Sequence, residues 1–521
     1  MTAWESAITA RSPYLWYKFE GTGLPTNYGS VSTTLTLSGT APTYSVTGIE
    51  GTGYKFNNNG HYDLSTWSSV LNGNSWTVEA VVAGNGTSNA NDMMIFGFYE
   101  SSTKYIWVGM NGSGNLSTGY NGGSGAGSFA STEKMNGAGF HHVAAVYNSS
   151  ATSLKLYLNG RLLVTRTVNL NSVNIDGGFK TIGSYYPASA YRWPGTIDEF
   201  AIIPGVLTDA NIQADNDAVG LKMRRAIFNS STSPNGYFTH ELQSGTPLNE
   251  GTGTTSTSTI GTSVTRNATG KSGVGSVYAW SVAANNQGFI RYNLGTSNIS
   301  DRTFSFEFWM KSSDYVSGSN KYIFYSTGTD YYNLEAVPTS GGNAKLVAYM
   351  SFSNGTTTTV DTGVIINDGN WHHIAFTHNG TTTTAQTTNV YVDGVEYSSG
   401  AVSRGLLTNV SGIPYLGSSL NNTLAATYDD FIFYNGVITS TDVTNHYNAS
   451  IASTNAGYTA QLMETSSPHA VFVDPAITVE SFANANPTAD PMNVSALFVD
   501  PAVSATTDYV FNAAPLTASG E

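Results

Sequence analysis

The 521-residue chain contains no cysteine. Its folded state cannot lean on disulfides, and the absence points toward a bacterial or viral source over a secreted eukaryotic one. Charge is scarce: 11% of residues are Asp, Glu, Lys or Arg, and the formal net charge is −14. An acidic chain of this kind is a poor match for nucleic acid or an anionic membrane surface. No run of about 18 apolar residues occurs, so no membrane-spanning helix is expected. The opening MTAWESAITARSPYLWYKF lacks a basic segment followed by an apolar one, so no signal peptide is expected. No G-x-S-x-G, P-loop or cysteine pair supports nucleophilic or phosphate chemistry.

What the sequence does have is aromatic residues and turn formers. Tyrosine (31), phenylalanine (23) and glycine (55) accompany many Asn, Ser and Thr, the composition of an all-β protein. Two stretches organise it. Phe140-His141-His142-Val143-Ala144 leads into Leu156-Tyr157-Leu158-Asn159-Gly160, and Trp371-His372-His373-Ile374-Ala375 leads into Val390-Tyr391-Val392-Asp393-Gly394. The offset is nearly constant across these and other elements (371 − 140 = 231; 307 − 79 = 228; 429 − 198 = 231). Such regularity marks an internal duplication.

The expected organisation is a β-sandwich over residues 1–220, a linker at 221–235, a second sandwich over 236–449 and an extended arm at 450–521. Within the first copy, Leu154, Leu156 and Leu158 alternate with Lys155 and Tyr157, which places the leucines on one sheet face. Asn159-Gly160 reads as a two-residue hairpin turn, because both central positions need positive φ. Thr208 is a candidate N-cap of a closing helix in the first copy, and the helix recurs in the second from Ser440 or Thr441 to about Tyr447. In the arm, Phe472-Val473-Asp474-Pro475-Ala476 recurs as Phe498-Val499-Asp500-Pro501-Ala502. These segments are too short to bury a core of their own, so Phe472, Val473, Phe498 and Val499 are expected to dock on something else.

The paired motifs, with Ile197-Asp198-Glu199-Phe200 and Tyr428-Asp429-Asp430-Phe431, resemble the laminin-G-like, concanavalin-A-like superfamily over about residues 12–220 and 236–449. The resemblance implies two tandem jelly-roll sandwiches, a fold that hosts lectins, adhesion modules, glycosidases and virion parts. The whole layout resembles minor tail proteins of phages infecting actinobacteria. That implies a non-enzymatic virion component, located in the particle and forming homo-oligomers. Its partners would be other tail proteins and a host-surface glycan or protein. A bacterial surface adhesin or carbohydrate-binding module, extracellular in location, and a polysaccharide-degrading enzyme of the same fold are the alternatives.

Neighbouring strand residues point to opposite faces, so neither His pair converges on one metal; each should place one imidazole inside and one near the surface. Asp198-Glu199 and Asp429-Asp430 fail as a glycosidase dyad for the same reason, since hydrolysis needs two carboxyls facing one sugar. The first Asp of each pair is expected to bond backbone amides. Relatives bind calcium at a sandwich rim, which leaves Asp198 and Asp429 as candidate ligands of calcium, the one cofactor kept open. The remaining candidates are loop aromatics, which stack on sugars or anchor protein interfaces: Tyr185, Tyr186, Tyr191 and Trp193 in the first copy, Tyr331 and Tyr332, with Tyr322 and Tyr325, in the second.

Overall fold

The computed structural model describes residues 2–451 apart from 50, 58–59, 66–70, 86–91, 124–125, 186–190, 243–247, 254–255, 272–273, 275, 294–302, 327–329, 353, 382–384, 404–413 and 419–421. Residues Met1–Gly457 form one compact unit. Four sheets within it make two sandwiches, each of one eight-stranded and one seven-stranded sheet. In the first sandwich the larger sheet is centred on the strands Phe140–Asn148, Trp76–Ala83 and Thr196–Pro204. In the second it is centred on Trp371–Asn379, Thr303–Lys311 and Ala426–Tyr434. These strands pair antiparallel although they are far apart in sequence, as jelly-roll crossovers require.

Register assigns the residues to layers. Val143, Ala145 and Tyr147 lie opposite Ala80, Val78 and Trp76, and all six belong to the core between the sheets. Leu154, Leu156 and Leu158 join them. The alternate residues Ala144 and Val146, with Val81 and Tyr157, face the other way into a second apolar cluster. Asn159 and Gly160 take φ of 51° and 74°, Asp393 and Gly394 of 52° and 78°, as a hairpin turn with two positive φ values demands.

Helices build that second cluster. Helix α1 (Ala3–Ala10) starts with a reciprocal Thr2–Glu5 capping box, and α2 (Asp209–Ala218) with a Thr208–Asn211 box. Trp4, Ile8 and Ile212 pack on Val81, Ala144 and Val146. On the second sandwich, α3 (Lys222–Phe228) and α4 (Ser440–Ile451) do the same, with Met223, Ile227, Phe228, Val443 and Ala449 against Trp309, Ala375 and Ile432. Each half is therefore three layers: a helix pair, the larger sheet and the smaller sheet.

Two of these helices differ from the sequence reading. Segment 221–235, expected as a linker, contains α3, whose basic residues hide the apolar spacing of Met223, Ile227 and Phe228. Helix α1 offers only one pair of large apolar residues four apart, Trp4 and Ile8. Since α1 precedes the strand Leu15–Tyr17 as α3 precedes Gly236–Phe238, the duplicated unit is helix–sandwich–helix. No helix among the described residues is long and apolar enough to cross a membrane.

Candidate functional site

The His pairs are built into the fold. In the second half His373 Nε2 lies 3.0 Å from Glu307 Oε2, while His372 bonds Asp393 at 2.8 Å and Asp368 at 3.1 Å. In the first half His142 sits 3.8 Å from Glu79 and edge-on to Trp4, with ring centres 5.6 Å apart. His141 is buried too, contrary to the expectation of one imidazole near the surface, because elements outside the first sandwich cover it. Its Nδ1 meets Asn159 Nδ2 at 3.2 Å, and its Nε2 lies 3.3 Å from Glu250 and 3.4 Å from Arg224. Burial holds the His142 imidazole at about 3, so it is neutral at physiological pH.

The acidic pairs are equally enclosed. Asp198 Oδ2 accepts the Ile49 amide and Asp429 Oδ2 the Lys271 amide, both at 2.8 Å. Glu199 accepts Trp16 Nε1 at 2.7 Å, and Asp430 the Tyr237 hydroxyl at 3.3 Å. Asp198, Glu199, Asp429 and Asp430 are all buried. Burial, followed by the neighbouring acids, raises the Asp429 and Asp430 carboxyls well above the usual range. A carboxylate locked under a sheet cannot face a polysaccharide. Among the described residues, no cluster of three or more His, Asp or Glu is placed to hold a metal ion.

With helices over the larger sheets, the solvent-facing surface of each sandwich is the outer face of its smaller sheet. Strand alternation fills that face with aromatic rings. In the first half Tyr99 pairs with Tyr105 and Gly97 with Trp107, and Tyr185 closes over them, 5.4 Å from Tyr99 and 5.5 Å from Tyr105 between ring centres. Two glycines make the floor. A Cβ on Gly97 would lie 2.8 Å from the Tyr185 backbone, and one on Gly119 2.6 Å from the Trp107 indole.

In the second half the strand Lys321–Tyr325 carries a bulge between Tyr322 and Phe324. The bulge turns both Tyr322 and Tyr325 outward, opposite Glu335 and Asn333. Tyr349 faces Asn333 from the next strand. With Tyr331 these residues line a cleft of about 320 Å³. Tyr322 and Tyr325 have ring centres 4.9 Å apart, Tyr331 and Tyr349 5.9 Å. Tyr415 continues the ladder 6.2 Å from Tyr325.

The aromatic residues singled out from the sequence divide accordingly. Tyr185, Tyr191, Tyr322, Tyr325 and Tyr331 belong to these faces, though Tyr322, Tyr325 and Tyr331, like Tyr332, sit on strands and not in the loops expected of them. Trp193 and Tyr332 do not: they are 0% and 1% exposed in the two sandwich cores. Tyr332 alternates inward from Tyr331, and the Trp193 Nε1 donates to Thr196 O at 3.3 Å. Tyr186, Phe472, Val473, Phe498 and Val499 lie outside the described residues. Tyr99, Tyr105, Trp107 and Tyr349 were missed because each sits inside a strand, where an aromatic reads as core; only the period-two pattern beside Gly97 and Gly119 could have found the first three.

A laminin G family model, described as the concanavalin A-like lectin/glucanases superfamily, matches residues 56–213 and 285–444. Among solved structures, the chain is similar to domain 4 of an extracellular arabinanase from Geobacillus stearothermophilus in complex with arabinotriose, at 16% identity over 39% of this chain and 98% of that one, TM-score 0.33. It is also similar to domains LG4-5 of the mouse laminin α1 chain, at 12% identity over 77% and 92%, TM-score 0.28. The receptor-binding domain of botulinum neurotoxin type G matches at 14% identity over 42% of this chain, TM-score 0.32, and the match spans about half (51%) of that domain. No curated protein sequence matches the chain.

Proposed function

From the premise that this chain belongs to the concanavalin A-like lectin/glucanases superfamily, twice over, we propose that it is a non-enzymatic binding protein whose two aromatic sheet faces engage a glycan. The observation that carries this reading is the pair of half-buried ring ladders, Tyr99–Tyr105–Trp107–Tyr185 and Tyr322–Tyr325–Tyr331–Tyr349, on the faces that the helices leave open. Aromatic rings held in place by a sheet present large apolar area at little entropic cost. Glu335 is the one acid among the described residues lining the cleft, whereas a glycosidase needs two facing carboxyls. That supports binding over hydrolysis.

The finer reading places the protein in the tail of a phage, as an oligomer contacting other tail proteins through the Phe472-Val473 and Phe498-Val499 repeats. Its support is the sequence repeat itself, which is too short to form a core alone. Calcium at Asp198 or Asp429 has little support, since both carboxylates are buried and engaged by backbone amides.

The test is a glycan array probed with the full chain, the Trp107→Ala variant and the Tyr325→Ala variant. Binding that weakens at least tenfold in either variant supports the reading. Binding unchanged in both, or release of cleaved sugar during incubation, overturns it. For the tail role, deletion of residues 450–521 should abolish incorporation into particles; normal incorporation would refute it.

A further inference from the structure

The cleft of the second half has a carboxylate in its wall, Glu335, among four phenol rings. Glu335 Oε2 accepts from Asn320 Nδ2 at 2.9 Å, which orients it without neutralising it. Of the nearby cations, Lys345 is paired with Asp361 and Lys321 with Asp314 at 2.6 Å, while Arg291 lies over Tyr415, 5.8 Å from the ring centre, and does not line the cleft. The carboxylate is felt by the rings around it, for it helps raise the phenols of Tyr322 and Tyr349, on which burial is the largest influence.

A negative wall lined by π-faces is the environment that attracts an organic cation, because ring quadrupole and carboxylate act with the same sign. It repels a carboxylated, sulfated or phosphorylated sugar. We propose that the cleft formed by Tyr322, Tyr325, Tyr331, Tyr349 and Glu335 binds an ammonium group, carried by an amino sugar with a free amine. This rests on the glycan-binding reading and narrows it to a cationic ligand.

The test uses the full chain and three probes in calorimetry: a glucosamine tetramer, its N-acetylated counterpart and tetramethylammonium. The glucosamine tetramer should bind at least tenfold more tightly than the acetylated one. Glu335→Gln should erase that preference, and Tyr331→Ala should weaken binding of the glucosamine tetramer. High salt should reduce the preference in part, since it partly screens the half-buried Glu335 charge. Equal affinity for the two tetramers would overturn the ammonium assignment and leave glycan binding standing. Binding of tetramethylammonium alone would keep the ammonium cage and sink the glycan reading. No binding of any probe would overturn both. A preference that survives both Glu335→Gln and Tyr331→Ala would place the ammonium elsewhere and overturn the site.

Discussion

Glu307 accepts a hydrogen bond from His446 at 3.0 Å, whereas the same two positions of the first half hold Glu79 and Asp215, two acids. The alignment is set by the helix caps, Thr208 with Asn211 and Thr439 with Asp442. One duplicated buried glutamate has thus acquired opposite electrostatics. Burial opposes ionisation of Glu307, but His446, the His373 hydrogen bond and their charges outweigh it and hold the carboxyl well below its usual value; Tyr434 also donates to it at 2.5 Å. Burial and then Asp215 push Glu79 well above that value, with Arg11 opposing in part through its 3.0 Å contact with Asp215.

Glu307→Gln should therefore destabilise the second half at pH 7 by roughly 3–5 kcal/mol, the cost of breaking a buried pair from one side. Glu79→Gln should stabilise the first half or leave it unchanged, because the amide removes an acid that the fold keeps protonated. Hydrogen exchange on peptides covering 76–83 and 303–311 separates the two halves within the intact chain. Equal protection changes in the two variants would contradict this assignment of charge.

The pH dependence of the two sites runs in opposite directions. Glu307 has a lowered folded pKa, so its contribution is present above the unfolded value of about 4.5 and is lost as pH falls toward the folded value. Glu79 has a raised folded pKa, so its contribution is intact below about 4.5 and is lost as pH rises. Acidification from pH 6 to pH 3 should weaken protection around Glu307 and strengthen it around Glu79. In Glu79→Gln the acid-induced gain should shrink to the part owed to Asp215, whose carboxyl burial also raises.

Arg224 is fully buried, 2.6 Å from Glu250 and 4.9 Å from the centre of the Tyr237 ring. It lies on α3, Glu250 in the second half and His141 in the first, so one guanidinium ties three parts of the chain. Burial opposes the Glu250 charge, yet Arg224 and His141 hold it at about 2. Arg224→Met strands that carboxylate and should cost about 3–5 kcal/mol in denaturant unfolding. Adding Glu250→Gln should recover a large part of the loss; no recovery would show that Arg224 acts only by packing.

The sandwiches were legible in the sequence because the outward–inward alternation and the repeated Asx-Gly turns are local signals. Leu154, Leu156 and Leu158 needed no tertiary information to be assigned to one face. The helix layer was not legible where its apolar content was small, at Trp4 and Ile8, or masked by charge, around Arg224. The candidate site was legible in type and only partly in place. Tyr331 and Tyr332 are adjacent, and one lines the cleft while the other fills the core; their phase depends on the pairing of Tyr331 with Ser351 and Tyr332 with Met350. The outward turn of Tyr325 needs a bulge that no single-strand pattern announces.

Two glycines separate backbone strain from packing strain. Gly160 has φ of 74°, and a Cβ there would lie 3.0 Å from both Arg225 Cδ and Asn216 Cβ; Gly205 has φ of 81° and open space around it. Gly205→Ala should cost only the left-handed backbone penalty, about 1–2 kcal/mol. Gly160→Ala carries the same penalty and also presses on α2 and α3, so its loss in denaturant unfolding should be larger by about 1 kcal/mol or more. Hydrogen exchange should show the extra loss in peptides covering 209–228, since those helices supply both contacting side chains. Equal losses in the two variants would mean that Arg225 and Asn216 yield freely to the hairpin, and that the turn is held by its backbone alone.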